Sequence, residues 1–509
     1  MAQEREIKLA LRPRDAAKLT RHPLLAPLTA TPQLIISRYF DTPEQRLAQA
    51  GIAVRVRRDG AAFFATVKCA SGDASGFTDR AEWEISLPAS VAQPHLFAAT
   101  PPPPHDWLEP LLAQIDRPDL SKQLTATAAT WQPVLTTRFR RTRWQLPLVG
   151  GAAEIALDRG TITAGNQSLP LCEVEIESAT APLAELYALA RQLADQVPLW
   201  PEPRSKAARG NALLAGTALK PVKADPPRWG KRASVGDAFW QAWSETVAQG
   251  AANLSLYATT HDPEALHQLR VALRRARVLV RLFAPWLGRP LAQKWQEALK
   301  TIAEPSGGTR DRDVLLSELV APTLTYCPVA PEAVAALRDA LTARHRPITP
   351  PYGQLGCFWL EAATQLAARL ATEPAEPLLP FLARRLERLR SRVVDRIAQW
   401  RAEPSGTNRH RVRIALKAWR YALEWSEGLL PTRTATQQLA RAKRALDLLG
   451  AAQDWESAAL QLSPWLARND ALAVGAAVVL AWQHAQRIPA ADQILDSLAE
   501  WLAEPLPRL

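Results

Sequence analysis

The chain has 509 residues, 47% of them hydrophobic and 22% charged, with a formal charge of +12 and four cysteines. That length allows at least two domains with sizeable cores, and the composition describes a soluble globular protein. The charged amino terminus offers no apolar stretch for a secretory signal. The longest apolar run, the twelve residues from Ala471 to Trp482, is too short to span a bilayer and reads as a buried helix. Cys69, Cys172, Cys327 and Cys357 have no CxxC or metal-ligand spacing, so reduced thiols of a cytoplasmic protein are expected.

The first segment alternates. In an extended strand Glu4, Glu6 and Lys8 fall on one face and Arg5, Ile7 and Leu9 on the other. Arg55 and Arg57 alternate with Val54 and Val56; Arg80, Glu82 and Glu84 with Trp83 and Ile85; Glu154 and Asp158 with Ile155 and Leu157; Glu173, Glu175 and Glu177 with Val174 and Ile176. One such strand is ordinary in a sheet with a solvated face. Five with mixed charge signs are better explained by a sheet closed into a barrel, its ionic face lining a tunnel and its apolar face under helices. Helices are predicted from Pro13 to His22 and from Leu183 to Gln196, and Pro101 to Pro104 begins an exposed connection. The segment from Gly216 to Arg232, with Pro221, Pro226 and Pro227, reads as a stiff linker into an alanine- and leucine-rich helical remainder.

That remainder repeats itself. The stretch from His267 to Arg277 aligns without gaps on His410 to Arg420, and Gly307 and Asp311 fall on Gly450 and Asp454 at the same offset of 143 residues. At 100° per residue, His267, Arg270, Arg274, Arg277 and Arg281 lie in a stripe about 80° wide. The second copy places His410, Arg413, Lys417 and Arg420 likewise, with Glu424 where a fifth cation is expected. A solvated face is the ordinary reading of such a stripe. The shared spacing, the scarcity of acids to neutralise it, and the +9 carried by residues 221–509 point instead to an anionic partner.

Motifs in a fixed order carry a family resemblance. Glu4-Arg5-Glu6-Ile7-Lys8 resembles the ExExK signature of the CYTH superfamily, the triphosphate tunnel metalloenzymes. Tyr39-Phe40-Asp41-Thr42, Arg55-Val56-Arg57, Thr66-Val67-Lys68, Arg80 to Glu84, Thr137 to Trp144, Glu154 to Gly160 and Ser205 to Gly210 are similar to its further motifs. The second half resembles the CHAD domain through His267 to Arg277, His410 to Tyr421 and Arg310-Asp311-Arg312-Asp313-Val314. The resemblance implies an α+β chain: an antiparallel eight-stranded β-tunnel domain over residues 1–215, a linker over 216–232, and an all-α domain of two pseudo-symmetric helical bundles over 233–505, with repeats of about 233–375 and 376–505.

Within the tunnel, like charges about 4 Å apart repel by roughly 4 kcal/mol at an effective dielectric of 20. Some carboxylates are therefore expected to be protonated or to share a divalent cation, and oxygen-only ligands favour Mg2+ or Mn2+. On the resemblance, Glu4, Glu6, Asp158, Glu173 and Glu175 are the expected metal- and water-orienting acids. Lys8, Arg55, Arg57, Lys68, Arg141 and Lys206 are the expected phosphate binders, and Glu4, Glu6 and Lys8 stand at the centre of catalysis. Glu82, Glu84, Glu154 and Glu177 belong either to that set or to structural pairs with Arg80 and other lining cations. His267, Arg270, Arg274, Arg277, His410, Arg413, Lys417 and Arg420 are the expected polyphosphate binders.

The resemblance implies a hydrolase that cleaves inorganic triphosphate to pyrophosphate and phosphate, with inorganic polyphosphate as partner of the helical half. Two readings stand beside it: a non-catalytic polyphosphate-binding scaffold, and a tunnel enzyme acting on thiamine triphosphate or a nucleoside triphosphate. Nucleic acid ranks last as a partner, because no module that reads bases is recognisable, and no membrane partner is expected.

Overall fold

The structure, a computed structural model, describes residues 5–70, 80–202, 204–217, 220–344, 349–372 and 374–503. Five strands come first: β1 (Arg5–Ala10), β2 (Thr31–Asp41), β3 (Ile52–Asp59), β4 (Ala62–Ala70) and β5 (Arg80–Ser86). Helices α1 (Ala89–Phe97), α2 (His105–Leu112) and α3 (Pro118–Thr127) follow, then β6 (Gln132–Leu148), β7 (Gly151–Ala164) and β8 (Gln167–Ser178). Helix α4 (Leu183–Ala194), the two-residue β9 (Trp200–Pro201) and α5 (Lys206–Leu214) complete the first half. The rest is helical: α6 (Val235–Thr260), α7 (Pro263–Leu282), α8 (Arg289–Ala303), α9 (Pro331–Ala343), α10 (Tyr352–Thr372), α11 (Leu378–Ala402), α12 (Gly406–Ser426), α13 (Thr432–Leu466) and α14 (Ala471–Ala503). The chain is thus α+β, and none of its described helices is long and apolar enough to cross a membrane.

The strands form one antiparallel sheet in the order β5-β4-β3-β2-β6-β7-β8-β1-β9, so eight long strands are joined by a short ninth and the order ends at β5 and β9. Its register turns the alternation into two faces. Lys8 lies opposite Glu175, Glu6 opposite Glu177, Asp158 between Arg141 and Glu173, and Lys68 opposite Glu82, all on the inner face. The outer face is apolar and covered. Val54, Val56, Val67 and Trp83 pack under Ala92, Trp107, Leu111 and Leu124 of α1 to α3, while Ile7, Leu9, Ile155, Val174 and Ile176 pack with Leu186 and Leu189 of α4.

Helix α5 lies on the inner face. Ser205 caps it, its Oγ accepting from Ala208 N at 3.0 Å, and Ala207 and Leu213 join Tyr39, Leu135 and Ala164 in an apolar cluster. Gly210 permits this approach, since a Cβ there would lie 2.6 Å from Leu135 Cδ2. The inner surface of β6 to β8 is therefore apolar beneath the end of α5 and ionic at its start.

The chain divides into two compact units that do not follow its order. Residues 1–223, 247–265 and 351–373 form the first, and residues 224–246, 266–350 and 374–509 the second. In the first, Leu360 and Ala363 of α10 enter the apolar cluster of β1, β7, β8 and α4, and Tyr352 packs on Trp200 with ring centroids 5.1 Å apart. In the second, Val334 and Leu337 of α9 pack with Leu462 and Trp465 of α13 and with Ala476 and Val479 of α14.

Several expected elements take a different form. The helix expected from Pro13 to His22 is a 3-10 turn, Pro13–Asp15, followed by a short helix, Ala16–Thr20. The run from Ala471 to Trp482 is helical, but Val474 is 49% exposed: small alanines on the outer side let an apolar segment stay half-buried. The described residues of the segment from Gly216 to Arg232 have no helix or strand, yet the segment is tethered within each unit. Val222 exchanges backbone hydrogen bonds with the Asn253 side chain in the first, and Trp229 is buried against Phe283 and Trp425 in the second. The four cysteines form no disulfide.

Gly356 marks the tightest approach of α10, because a Cβ there would fall 1.6 Å from the Leu199 carbonyl oxygen. Backbone cannot yield as a side-chain tip does. Gly356→Ala is therefore expected to displace α10 and cost about 1–3 kcal/mol, which a shift in the urea midpoint would measure.

Candidate functional site

The start of α5 and the inner ends of β1, β6, β7 and β8 meet in one ionic network. Lys206 Nζ lies 2.7 Å from Asp158 Oδ2, 2.5 Å from Glu173 Oε1 and 2.8 Å from Glu175 Oε1. Arg141 forks onto Asp158 with two bonds of 2.7 Å and also donates to Glu175. Lys8 Nζ bridges Glu6 at 2.9 Å and Glu175 at 3.3 Å. Arg209, one helical turn beyond Lys206, donates to Glu173.

Asp158 and Glu173 are fully buried and Lys8, Glu175 and Lys206 nearly so, so each charge depends on its partners. Burial pushes the Glu175 carboxyl upward, but Lys206, Arg141 and Lys8 hold it well below the usual carboxylate range. Burial likewise pushes Lys206 down, and Asp158, Glu173 and Glu175 hold it above the ordinary lysine value. Lys8 is raised against burial by Glu6, Glu175 and Glu173.

A second ionic group lines the inner face of β3, β4 and β5. Glu82 takes Lys68 at 2.6 Å and Arg55 at 3.5 Å, and Glu84 takes Arg57 at 3.1 Å and the Thr66 hydroxyl at 2.8 Å. Arg55 also donates to the Tyr39 hydroxyl at 3.4 Å. Burial would raise the Tyr39 phenol, yet Arg55, Lys206 and Lys68 bring it below its usual value. The influence of Lys206 on Tyr39 links the two groups electrostatically.

Among the described residues two carboxylate triads could hold a cation: Glu6, Glu175 and Glu177, and Asp158, Glu173 and Glu175, each with one oxygen per residue within 4.8 Å of the others. Their donors are all oxygens, which suits a hard divalent ion such as Mg2+ or Mn2+. In the first triad Lys8 touches Glu6 and Glu175 and leaves Glu177 aside. The Lys206 ammonium touches all three acids of the second, so an ion entering there would have to displace it.

In the helical unit the cationic stripes fall on α7 and α12 as their spacing predicts. Arg274, Arg413 and Lys417 come together. Burial first, then Arg274 and Arg413, push the Lys417 ammonium down to about 5, with Asp454 opposing and Arg420 adding to the effect. The Arg413 guanidinium is lowered by burial and by Arg274, and its Nε is buried without a hydrogen-bond partner.

Other members of the stripes are engaged elsewhere. Arg270 donates to Ser306 Oγ at 2.8 Å, His410 Nδ1 meets Gln453 Oε1, and Arg420 pairs with Glu424. Glu424 also takes Arg275 at 3.2 Å, and Arg275, 1% exposed, pairs with Glu245 at 3.0 Å as well.

Glu6, Lys8, Arg141, Asp158, Glu173, Glu175 and Lys206 are thus gathered in one network, with Arg55, Arg57 and Lys68 in the second group. Glu4 lies outside the described residues. Glu82 and Glu84 sit in pairs with Arg55, Lys68 and Arg57; Glu154 pairs with Arg143 at 3.2 Å; Glu177 joins Glu6 and Glu175. The sequence reading missed Arg209, Tyr39 and Arg143 as site residues. All three stand inside the motifs of the tunnel family, and Lys206 and Arg209 at i and i+3 share one face of a helix. Arg143, bonded to Asp59 at 2.9 Å and to Gln33, continued the parity of Arg141.

Comparison with known proteins gives two family matches: the CYTH domain over residues 2–210 and the CHAD domain over residues 241–463. An inorganic triphosphatase from Haemophilus influenzae is 26% identical over 214 residues, 42% of this chain and 55% of that protein, so the chain spans about half the length of the curated relative it matches. Among solved structures, the CHAD domain from the plant Ricinus communis is 21% identical, with 56% of this chain and 97% of that one covered and a TM-score of 0.45. A putative adenylyl cyclase from Hippeastrum, described as having a dominant triphosphatase activity, is 20% identical, with 41% and 95% covered and a TM-score of 0.32.

Removing the ammonium from the buried triad tests the network directly. Lys206→Met leaves Asp158, Glu173 and Glu175 facing one another, and a loss of about 3–5 kcal/mol is expected, measured as a fall in the denaturation midpoint in metal-free buffer.

Proposed function

The chain belongs to the CYTH family over residues 2–210 and to the CHAD family over residues 241–463, and on that premise we propose a metal-dependent inorganic triphosphatase with a polyphosphate-binding helical half. The products are pyrophosphate and phosphate. What supports the tunnel reading above all is the convergence of Lys8, Arg141 and Lys206 on the acids Glu6, Asp158, Glu173 and Glu175. Phosphoryl transfer needs charge neutralisation and positioning more than covalent chemistry, and this network supplies both.

Lys8, Arg55, Arg57, Lys68, Arg141 and Lys206 bind the phosphate oxygens, the arginines through their paired N–H groups. Each now rests on a carboxylate or a phenol, so substrate replaces one anionic partner by another and the cations never stand bare. Glu6, Glu175 and Glu177 would hold the divalent ion, with Asp158 and Glu173 beside them. When bound, that ion neutralises charge on the transferring phosphoryl group. Tyr39 keeps Arg55 aimed across the inner face. Arg209 holds Glu173 in place.

Phosphate release from triphosphate, ATP, thiamine triphosphate and long polyphosphate, measured in parallel with Mg2+, Mn2+ and chelator, tests the assignment. Triphosphate is expected to turn over fastest, chelator to abolish turnover, and Glu6→Gln to lower it by about 10²-fold or more without unfolding the chain. Faster cleavage of ATP or thiamine triphosphate would assign a different substrate, and full activity of the variant would remove Glu6 from the site.

In the helical half, His267, Arg270, Arg274, Arg277, His410, Arg413, Lys417 and Arg420 form the polyphosphate site, with Arg274, Arg413 and Lys417 at its centre. Their mutual repulsion is relieved when an anion enters. Lys417 faces Arg274 of α7, Arg413 and Arg420 of α12 and Asp454 of α13. It is largely neutral above about pH 5 and regains its proton beside phosphate, so binding takes up a proton. Affinity is accordingly expected to fall as pH rises above about 5, by at most about tenfold per unit. Calorimetric titration in buffers of different ionisation enthalpy reads that uptake.

A further inference from the structure

The stripe on α7 does not end among neutral neighbours. Arg385 of α11 donates from Nε to Leu282 O and from Nη2 to Arg281 O, both at 2.8 Å, and Phe381 packs on Phe283 with centroids 5.3 Å apart. These contacts lay α11 along the carboxyl-terminal end of α7. Arg385, Arg388 and Arg392 are spaced i, i+3 and i+7, so they share one face of α11, and Arg388 and Arg392 are exposed. We propose that the anion track of the helical half continues from Arg274, Arg413 and Lys417 through Arg277 and Arg281 onto Arg388 and Arg392, and that it takes a linear polyphosphate much longer than triphosphate.

Beyond Asp454 and Glu456, which oppose the charges of Arg413 and Lys417, few acids balance this path. Among the described residues Arg274, Arg277, Arg281, Arg388 and Arg392 make no ion pair, and Asp395, the acid beside the stripe, pairs with none of them. The Nε of Arg277 is buried without a partner. Burial, Arg277 and Arg392 together lower the Arg281 guanidinium, so like charges of the two helices face each other here. Other arginines of α11 behave differently: Arg390 pairs with Glu387 at 2.7 Å, and Arg401 lies 3.4 Å from Asp496. From Arg274 to Arg281 the track runs about 10 Å along α7 at 1.5 Å per residue, before α11 adds its own length. A triphosphate, with two anhydride links, can neutralise part of such a path and leave the rest bare.

This inference rests on the reading of the helical half as a polyphosphate binder. The test uses the full chain, with long-chain inorganic polyphosphate and a shorter chain-length series as probes, over a range of salt concentrations. The double variant Arg388→Gln/Arg392→Gln should bind long polyphosphate at least tenfold more weakly at low salt. The slope of log affinity against log salt should fall by about 1.4, taking roughly 0.7 per contact from single-stranded polyanions. Its denaturation midpoint should stay unchanged, since both side chains are exposed. The gain in affinity with chain length seen in the native protein should shrink in the variant, whereas Arg401→Gln, on the other side of α11, should keep it. If the native chain does not bind long polyphosphate, the functional reading itself fails. If it binds and the double variant matches it in affinity and slope, the extension onto α11 alone fails. Tighter binding of a single-stranded oligonucleotide than of polyphosphate would overturn the assigned ligand.

Discussion

The ammonium of Lys206, enclosed by Asp158, Glu173 and Glu175, is the contact on which the first unit depends. Buried carboxylates on adjacent strands are untenable without compensation, and no side chain of the sheet alone supplies enough of it. Compensation arrives on α5, which explains several local features together. Ser205 starts the helix where Lys206 can reach the acids, Gly210 lets the next turn close on Leu135, and Arg209 covers the far oxygen of Glu173.

The helical unit solves the opposite problem. In the sheet nearly every cation has an acid, whereas Arg274, Arg413 and Lys417 are pressed together with only Asp454 and Glu456 opposing them among the described residues. On the proposed function, phosphate in the first case exchanges one anionic partner for another at nearly constant charge, and in the second relieves repulsion that folding has imposed. One cluster is balanced and the other is not.

Much of the sheet was legible because its period is two and each face announces itself: Glu6, Lys8, Glu173 and Glu175 had to share a side wherever the strands paired. The partners were not legible, since pairing depends on register, and nothing in the spacing says that Lys8 meets Glu175 or that Arg141 forks onto Asp158. On helices the difficulty is different. Arg274 and Arg275 are consecutive and 100° apart, one facing the cationic cluster and the other buried between Glu245 and Glu424. The stripe on α7 was readable from its spacing, but the arginines of α11 that continue it are distant in sequence and follow from the bonds of Arg385.

Helix α10 is drawn from the middle of the second family's stretch, yet Leu360 and Ala363 complete the apolar layer behind β1 and β8. Two names divide this polypeptide; its interior obeys another partition. A gene fragment ending at the proline-rich segment would encode every tunnel-lining residue and still leave oily surface bare where α10 belongs, inviting aggregation. Recombination that swaps one module for a foreign counterpart must carry that helix along.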